Sequence, residues 1–195
     1  MKTLIYYLNW PVEVSQYTNI KMIDKSIEFF GINIGILTIS DTRNFDNDKS
    51  GSTLKSLIED YGHICILRDI VKDEPKELLL ILNKWINNKK LDVIITSGGT
   101  GLTGRDITVD VLETFFDKKI DGFGELFRYL SFKKIGTSTI QSRAVAGTKN
   151  GKYIFCLPGS PSACKDAWEE ILKTQLDIRH KPCNFVEIMP RLNET

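Results

Sequence analysis

Histidine is nearly absent from this chain, and so is any excess of charge of either sign. Two histidines, 26 basic and 25 acidic residues give 195 residues a formal net charge of +1. A nucleic-acid surface would need a strongly basic face, so the composition argues against one. No apolar run approaches the roughly 18 residues of a membrane helix. The opening stretch MKTLIYYLNWPVEV is interrupted by Asn9 and Pro11 and leads to no small-residue cleavage site, so it does not read as a signal peptide. The four cysteines, Cys65, Cys156, Cys164 and Cys183, form no CxxC pair and no zinc-ligand spacing. Reduced thiols and a cytoplasmic location are expected. His63 and His180 stand alone, and neither is assigned chemistry.

What is present is a 42% hydrophobic chain of a size that suits one globular domain with a substantial core. Residues 1–31 are weakly patterned and read as an N-terminal extension, in which DKSIEFF is a candidate short helix. Residues 183–195 read as a C-terminal tail. Between them, residues 32–182 alternate in character. INIGILTIS, HICILRDIV and LDVIITS are short, apolar, β-branched runs, as buried parallel strands require. Leu54, Leu57, Ile58 and Tyr61 recur at helical spacing before Gly62. Leu78, Ile81, Leu82, Trp85 and Ile86 do the same after Pro75. Val109, Leu112, Phe115 and Phe116 mark a further helix, GFGELFRYLSF another, and SPSACKDAWEEILKTQL a closing one. SRAVAGTKNGKYIFCLPG reads as two strands turned at Asn150-Gly151. The pattern predicts a three-layer α/β/α fold with a mostly parallel central sheet and a β-hairpin near its C-terminal part.

The third strand runs into TSGGTGLTGRDIT, with four glycines close together. Ligands of open α/β sheets bind beyond the carboxyl ends of the strands. Bare glycine backbone feeding a helix can cradle phosphate. The loop lacks the Gly-Lys-Ser/Thr ending of a P-loop and the spacing of a dinucleotide fingerprint. Glycine spacing alone leaves a phosphate cradle and a tight packing turn equally open. Asp106 shifts the balance, because a carboxylate beside a phosphate needs a cation between them. Magnesium uses one or two carboxylates and completes its shell with phosphate oxygens and water. Asp73, after the second strand, lies at the same sheet edge. The duller alternatives are that Asp73 caps the helix at Pro75 and that Asp106 pairs with Arg105.

Taken together, SGGTGLTGRD, ISD with DKSG, GFGE, SR and LPGSP resemble the molybdopterin-binding family, molybdopterin adenylyltransferase and its relatives. The stretch GFGELFRYLSFKKIGTSTIQSRAVAG is most similar to the branch called molybdenum cofactor biosynthesis protein B. The resemblance implies magnesium-dependent transfer of AMP from ATP to the terminal phosphate of molybdopterin, releasing pyrophosphate. It implies Asp73 and Asp106 as the catalytic, metal-linked pair and Ser97, Gly98, Gly99, Thr100 and Gly101 as the phosphate cradle. Ser40, Asp41, Asp48, Ser50 and Gly51 match segments lining the nucleotide and pterin-phosphate pocket. Ser142, and Ser131 with an offset of one residue, match pterin-side serines, while Pro158 and Gly159 border the nucleotide. A homotrimer or a dimer of trimers, with other molybdenum cofactor biosynthesis proteins as partners, is implied too. A protein that holds molybdopterin or a nucleotide without catalysis is the alternative. Read from the residues alone, the serines could be caps and turn formers and Asp48 a solvated charge. Arg143 could meet phosphate or an acidic neighbour, and the apolar residues of GFGELFRYLSF could be core or a contact between copies.

Overall fold

The computed structural model describes residues 23–194. The sheet begins in the chain with strand β1 (Asn33–Ile39), in which Ile34, Ile36, Leu37 and Ile39 are all buried. Successive side chains point to opposite faces, so a strand covered on both faces must be apolar throughout. Ile34 and Ile36 enter one half of the core, and Leu37 and Ile39 the other. Strands β2 (Ile64–Val71) and β3 (Val93–Ser97) flank β1 in parallel, with Ile36 opposite Arg68 and Ile95. Beyond β3 come β6 (Lys152–Leu157) in parallel, then β5 (Val145–Lys149) and the two-residue β4 (Lys118–Lys119), both antiparallel. The order is β2-β1-β3-β6-β5-β4.

One face is covered by α1 (Lys49–Tyr61), α4 (Asp121–Ile135) and α5 (Pro161–Ala167), through Leu54, Ile58, Phe123, Phe127 and Ala167. The other is covered by α2 (Pro75–Ile86) and α3 (Thr108–Phe115), through Leu78, Leu82, Trp85 and Leu112. The expected three layers are present. So is the hairpin: Asn150 and Gly151 have φ of 48° and 73°, as a two-residue turn between strongly twisted strands demands.

The structure departs from expectation in places. DKSIEFF forms a turn, not a helix. Asp24 accepts from the backbone and hydroxyl of Ser26, a local bond that competes with helix formation. Phe29 anchors this stretch edge-on to Tyr61. The closing helix continues past Ala167 through a π-turn, Trp168–Leu172. Residues 183–194 pack back on the domain: Val186 is buried, and the Asn184 side chain caps a helical turn at Glu187. The apolar residues of α4 divide between core and surface. Phe123 and Phe127 are core, whereas Leu126, Tyr129, Phe132 and Ile135 are exposed.

His63 is structural. Its Nδ1 accepts from the Ile32 N–H at 3.2 Å, and burial lowers its pKa to about 4. All four cysteines are free, and burial pushes the Cys156 and Cys164 thiols up to about 12, which leaves them protonated and unreactive. Among the described residues no helix is long and apolar enough to cross a membrane.

Candidate active site at the β1–β3 crevice

The connection from β1 runs over one face of the sheet through α1, and the chain leaving β3 enters α3 on the other. Loops diverging from adjacent strands leave a crevice at their carboxyl ends, where open α/β sheets bind ligands. Here the crevice is a cleft of about 360 Å³ lined by Ile39, Ser40, Thr42, Arg43, Asp73, Gly98–Gly101, Arg105, Asp106 and Gly159. Four separate loops therefore supply one site.

The glycine loop is the tight packing turn foreseen as one of its two uses. Gly98 and Gly99 have φ of +106° and +61°, in the left-handed region that glycine alone enters freely. A side chain on Gly98 would strike the Ile39 carbonyl, and one on Gly159 would lie 3.2 Å from the Gly98 Cα. The loop is thus a close-packed turn between the ends of β1 and β6. Gly98 donates its N–H to the Leu157 carbonyl at 3.1 Å. The amides of Gly99 and Thr100 donate to no described residue, so they are the pair free to meet an anion.

Asp106 and Asp73 face this cleft from different loops and in different states. The Asp106 carboxylate accepts from the hydroxyl and the N–H of Thr103 at 2.6 and 2.9 Å. The Thr103 hydroxyl, above all, holds it below the usual carboxylate range. Asp73 is half-buried, and its carboxylate joins no ion pair among the described residues and has only the Asp41 backbone N–H beside it as a donor. Burial first, then the charges of Asp41 and Asp106, raise its pKa. An unpaired, charge-crowded carboxylate facing a second one is a fitting donor set for a hard divalent cation. No cluster of three or more metal-ligating side chains occurs among the described residues, so bound phosphate oxygens and water would have to complete the shell.

Neither dull alternative for the two aspartates holds. The side chain of Asp73 does not cap α2, and Arg105 turns from Asp106 to Asp41 and Glu74, at 2.8 Å from each. Asp41 also accepts from the Asp73 N–H at 3.2 Å, so it holds the cleft's rim instead of lining it. Asp48 is a buried N-cap, not a solvated charge: it accepts from Gly51 N–H and Thr38 Oγ1 and pairs with Arg68 at 3.0 Å. Ser50 donates to the Gly159 carbonyl at 2.8 Å. Asp48, Ser50 and Gly51 therefore buttress the cleft from behind. Ser40 is a turn former at the cleft wall, accepting from the N–H groups of Thr42 and Arg43. Pro158 and Gly159 form the turn into α5 beside Gly98. Buried Ser97 ends β3 at the base of the loop, its hydroxyl without a partner among the described residues.

A second cavity, of about 580 Å³, lies between α3, α4 and β5. Ser142 lines it with a buried, unpaired hydroxyl. Arg143 stands between the two spaces, donating to the carbonyls of Asp106 and Thr100 at 2.6 and 3.4 Å and pairing with Asp110 at 2.9 Å. Ser131, half-buried on α4, lines neither space. Sequence reasoning missed Arg43, which lines the cleft and reaches from the β1 loop to the Gly159 carbonyl at 2.8 Å. A lone arginine in a polar loop carries no local signal. Its partner lies 116 residues away.

Comparison with known proteins gives the family. Residues 35–178 match the model of a probable molybdopterin binding domain. Over 160 residues, 82% of this chain and 94% of the relative, the chain is 45% identical to molybdenum cofactor biosynthesis protein B of Escherichia coli (strain K12). The protein of the same name from Staphylococcus aureus (strain COL) is 44% identical over 149 residues, 75% of this chain and 88% of its own. A crystal structure of a molybdenum cofactor biosynthesis protein B superposes with a TM-score of 0.74 at 38% identity, covering 75% of this chain and 92% of that one. The tungsten cofactor synthesizing protein MoaB from Pyrococcus furiosus gives 0.67 at 34% identity over the same shares. With the family model spanning most of its length and such relatives alike along nearly all of theirs, the chain belongs to the molybdopterin-binding domain family of molybdenum cofactor biosynthesis.

Proposed function

We propose that this protein transfers AMP from ATP to the terminal phosphate of molybdopterin in a magnesium-dependent reaction. The observation that carries the proposal is the pairing of Asp73, an acid with no ion-pair partner, with Asp106 across a loop of free amides. An oxygen of the molybdopterin phosphate bonds to the α-phosphorus of ATP. The bond from that phosphorus to the bridging oxygen breaks, and pyrophosphate leaves with the electron pair. The nucleophile is already an anion, so no protein base is needed, and catalysis reduces to positioning and charge. The Gly99 and Thr100 amides hold a phosphate, and Arg43, fixed to the Gly159 carbonyl, borders it. Asp73 and Asp106 would hold the magnesium ion, which supplies charge neutralisation when bound. The Ser142 cavity, across Arg143, is the space offered to the pterin.

The purified protein, given molybdopterin, ATP and magnesium, is expected to release pyrophosphate and yield adenylated molybdopterin. Tight binding of both ligands with no product would replace this proposal by the non-catalytic one. The reading also includes a trimer or a pair of trimers, for which the exposed apolar side chains of α4, Leu126, Tyr129, Phe132 and Ile135, offer contact surface. A monomer by light scattering at micromolar concentration would remove that part.

A further inference from the structure

Thr108 opens α3, and its N–H donates to the Gly99 carbonyl at 3.0 Å. The residue is fully buried. Its hydroxyl nevertheless has no hydrogen-bond partner among the described residues. A buried donor left unpaired costs about 1–3 kcal/mol, whereas valine has the same shape and carries no such cost. A threonine kept at this point therefore calls for an acceptor.

The acceptor stands across the bare Cα of Gly99. A side chain grown from Gly99 would run into the Thr108 hydroxyl and would lie 2.7 Å from Asp73 Oδ1. The absence of a Cβ thus leaves two unpaired groups, a hydroxyl and a carboxylate, converging on one point. One is a fixed donor on the first turn of a helix. The other hangs from a loop after β2 with only the Asp41 N–H described beside it.

We infer that Thr108 is a positioning residue for Asp73: when the cation is bound, its hydroxyl donates to Oδ1, leaving the other carboxylate oxygen aimed at the divalent cation. The inference rests on the metal site proposed above. A carboxylate ligand held through its second oxygen has one orientation instead of several, and loss of such an outer partner typically weakens metal binding by about 10- to 100-fold. Thr108 touches neither nucleotide nor cation in this arrangement, and acts only through Asp73.

The test is the tightening of ATP binding by magnesium, measured calorimetrically as the ratio of ATP Kd without and with Mg²⁺, in the absence of molybdopterin so that nothing turns over. Thr108→Val keeps the packing and removes the hydroxyl, and Thr108→Ser restores it. The ratio is expected to fall about tenfold in Thr108→Val and to stay near the wild-type value in Thr108→Ser, with ATP affinity in the absence of magnesium unchanged in both. In an Asp73→Asn background, Thr108→Val should cause no further loss, as a double-mutant cycle requires of residues acting in series. An unchanged ratio in Thr108→Val, while Asp73→Asn lowers it, overturns the role of Thr108 alone. Equal losses in the valine and serine variants would overturn it as well, by showing that packing is responsible. A ratio indifferent to Asp73→Asn would sink the metal site itself, and this role with it.

Discussion

Asp106→Asn and Asp73→Asn should each slow pyrophosphate release by about a hundred- to a thousandfold, with the fold intact. Each substitution keeps shape and removes the charge that balances a divalent cation, a contribution of several kcal/mol to a reaction that moves only negative groups. The two variants should differ in stability. Asp106 is held by two Thr103 bonds that favour its charged form, so its replacement weakens the turn. Asp73 has the opposite sign. Burial, then Asp41 and Asp106, raise its pKa in the folded chain above that of the unfolded one. At this group the folded state then binds more protons across the carboxylate range, and its own contribution to stability falls as pH rises through it. Asp73→Asn removes that penalty. At neutral pH it should melt no lower than the wild type while being nearly inactive, the mark of a residue kept for function at some cost in stability. A melting temperature clearly below that of the wild type would show that Asp73 has partners in the fold that its geometry does not reveal.

Gly98→Ala is expected to be the most damaging small substitution at the site. A φ of +106° is strained for alanine, and the added methyl drives into the Ile39 carbonyl, at the end of a strand held between β2 and β3. Backbone strain of about 1–3 kcal/mol and a comparable overpacking cost together predict a loss of about 2–4 kcal/mol. A urea titration should show the midpoint lowered with the slope unchanged. The loop that presents the Gly99 and Thr100 amides would move with it, so ATP binding should fall in the same variant. Wild-type stability in Gly98→Ala would mean that the loop relaxes at little cost and is no rigid cradle. Gly104, by contrast, has nothing near the position of a methyl and should accept alanine far better.

Much of this architecture was legible because it depends on neighbours in the chain. β1 and β3 announce themselves as unbroken apolar runs since each is covered on both faces, and the hairpin declares itself at Asn150-Gly151. The glycine loop is legible for a similar reason: only backbone without side chains can fit between Ile39, Leu157 and Gly159. What stayed hidden depends on distant pairing. Asp48 has the composition of a loop charge, and only Thr38 and Arg68 make it a buried cap. Ser131 and Ser142 look alike in sequence, yet the helical phase of α4 keeps Ser131 out of both cavities while the entry to β5 brings Ser142 into one. The π-turn at Trp168 and the two-residue β4 are too short for any periodicity to register.

The rim of the cleft has one further consequence. Asp41, Asp73, Glu74 and Asp106 gather there, and of the nearby cations Arg105 is already claimed by Asp41 and Glu74 and Arg143 by Asp110. If the site takes a nucleotide as proposed, this rim repels the bare polyphosphate more than one whose charge a cation has partly cancelled. The acids would then favour the metal complex during approach as well as once bound, so uncomplexed triphosphate would bind more slowly and more weakly.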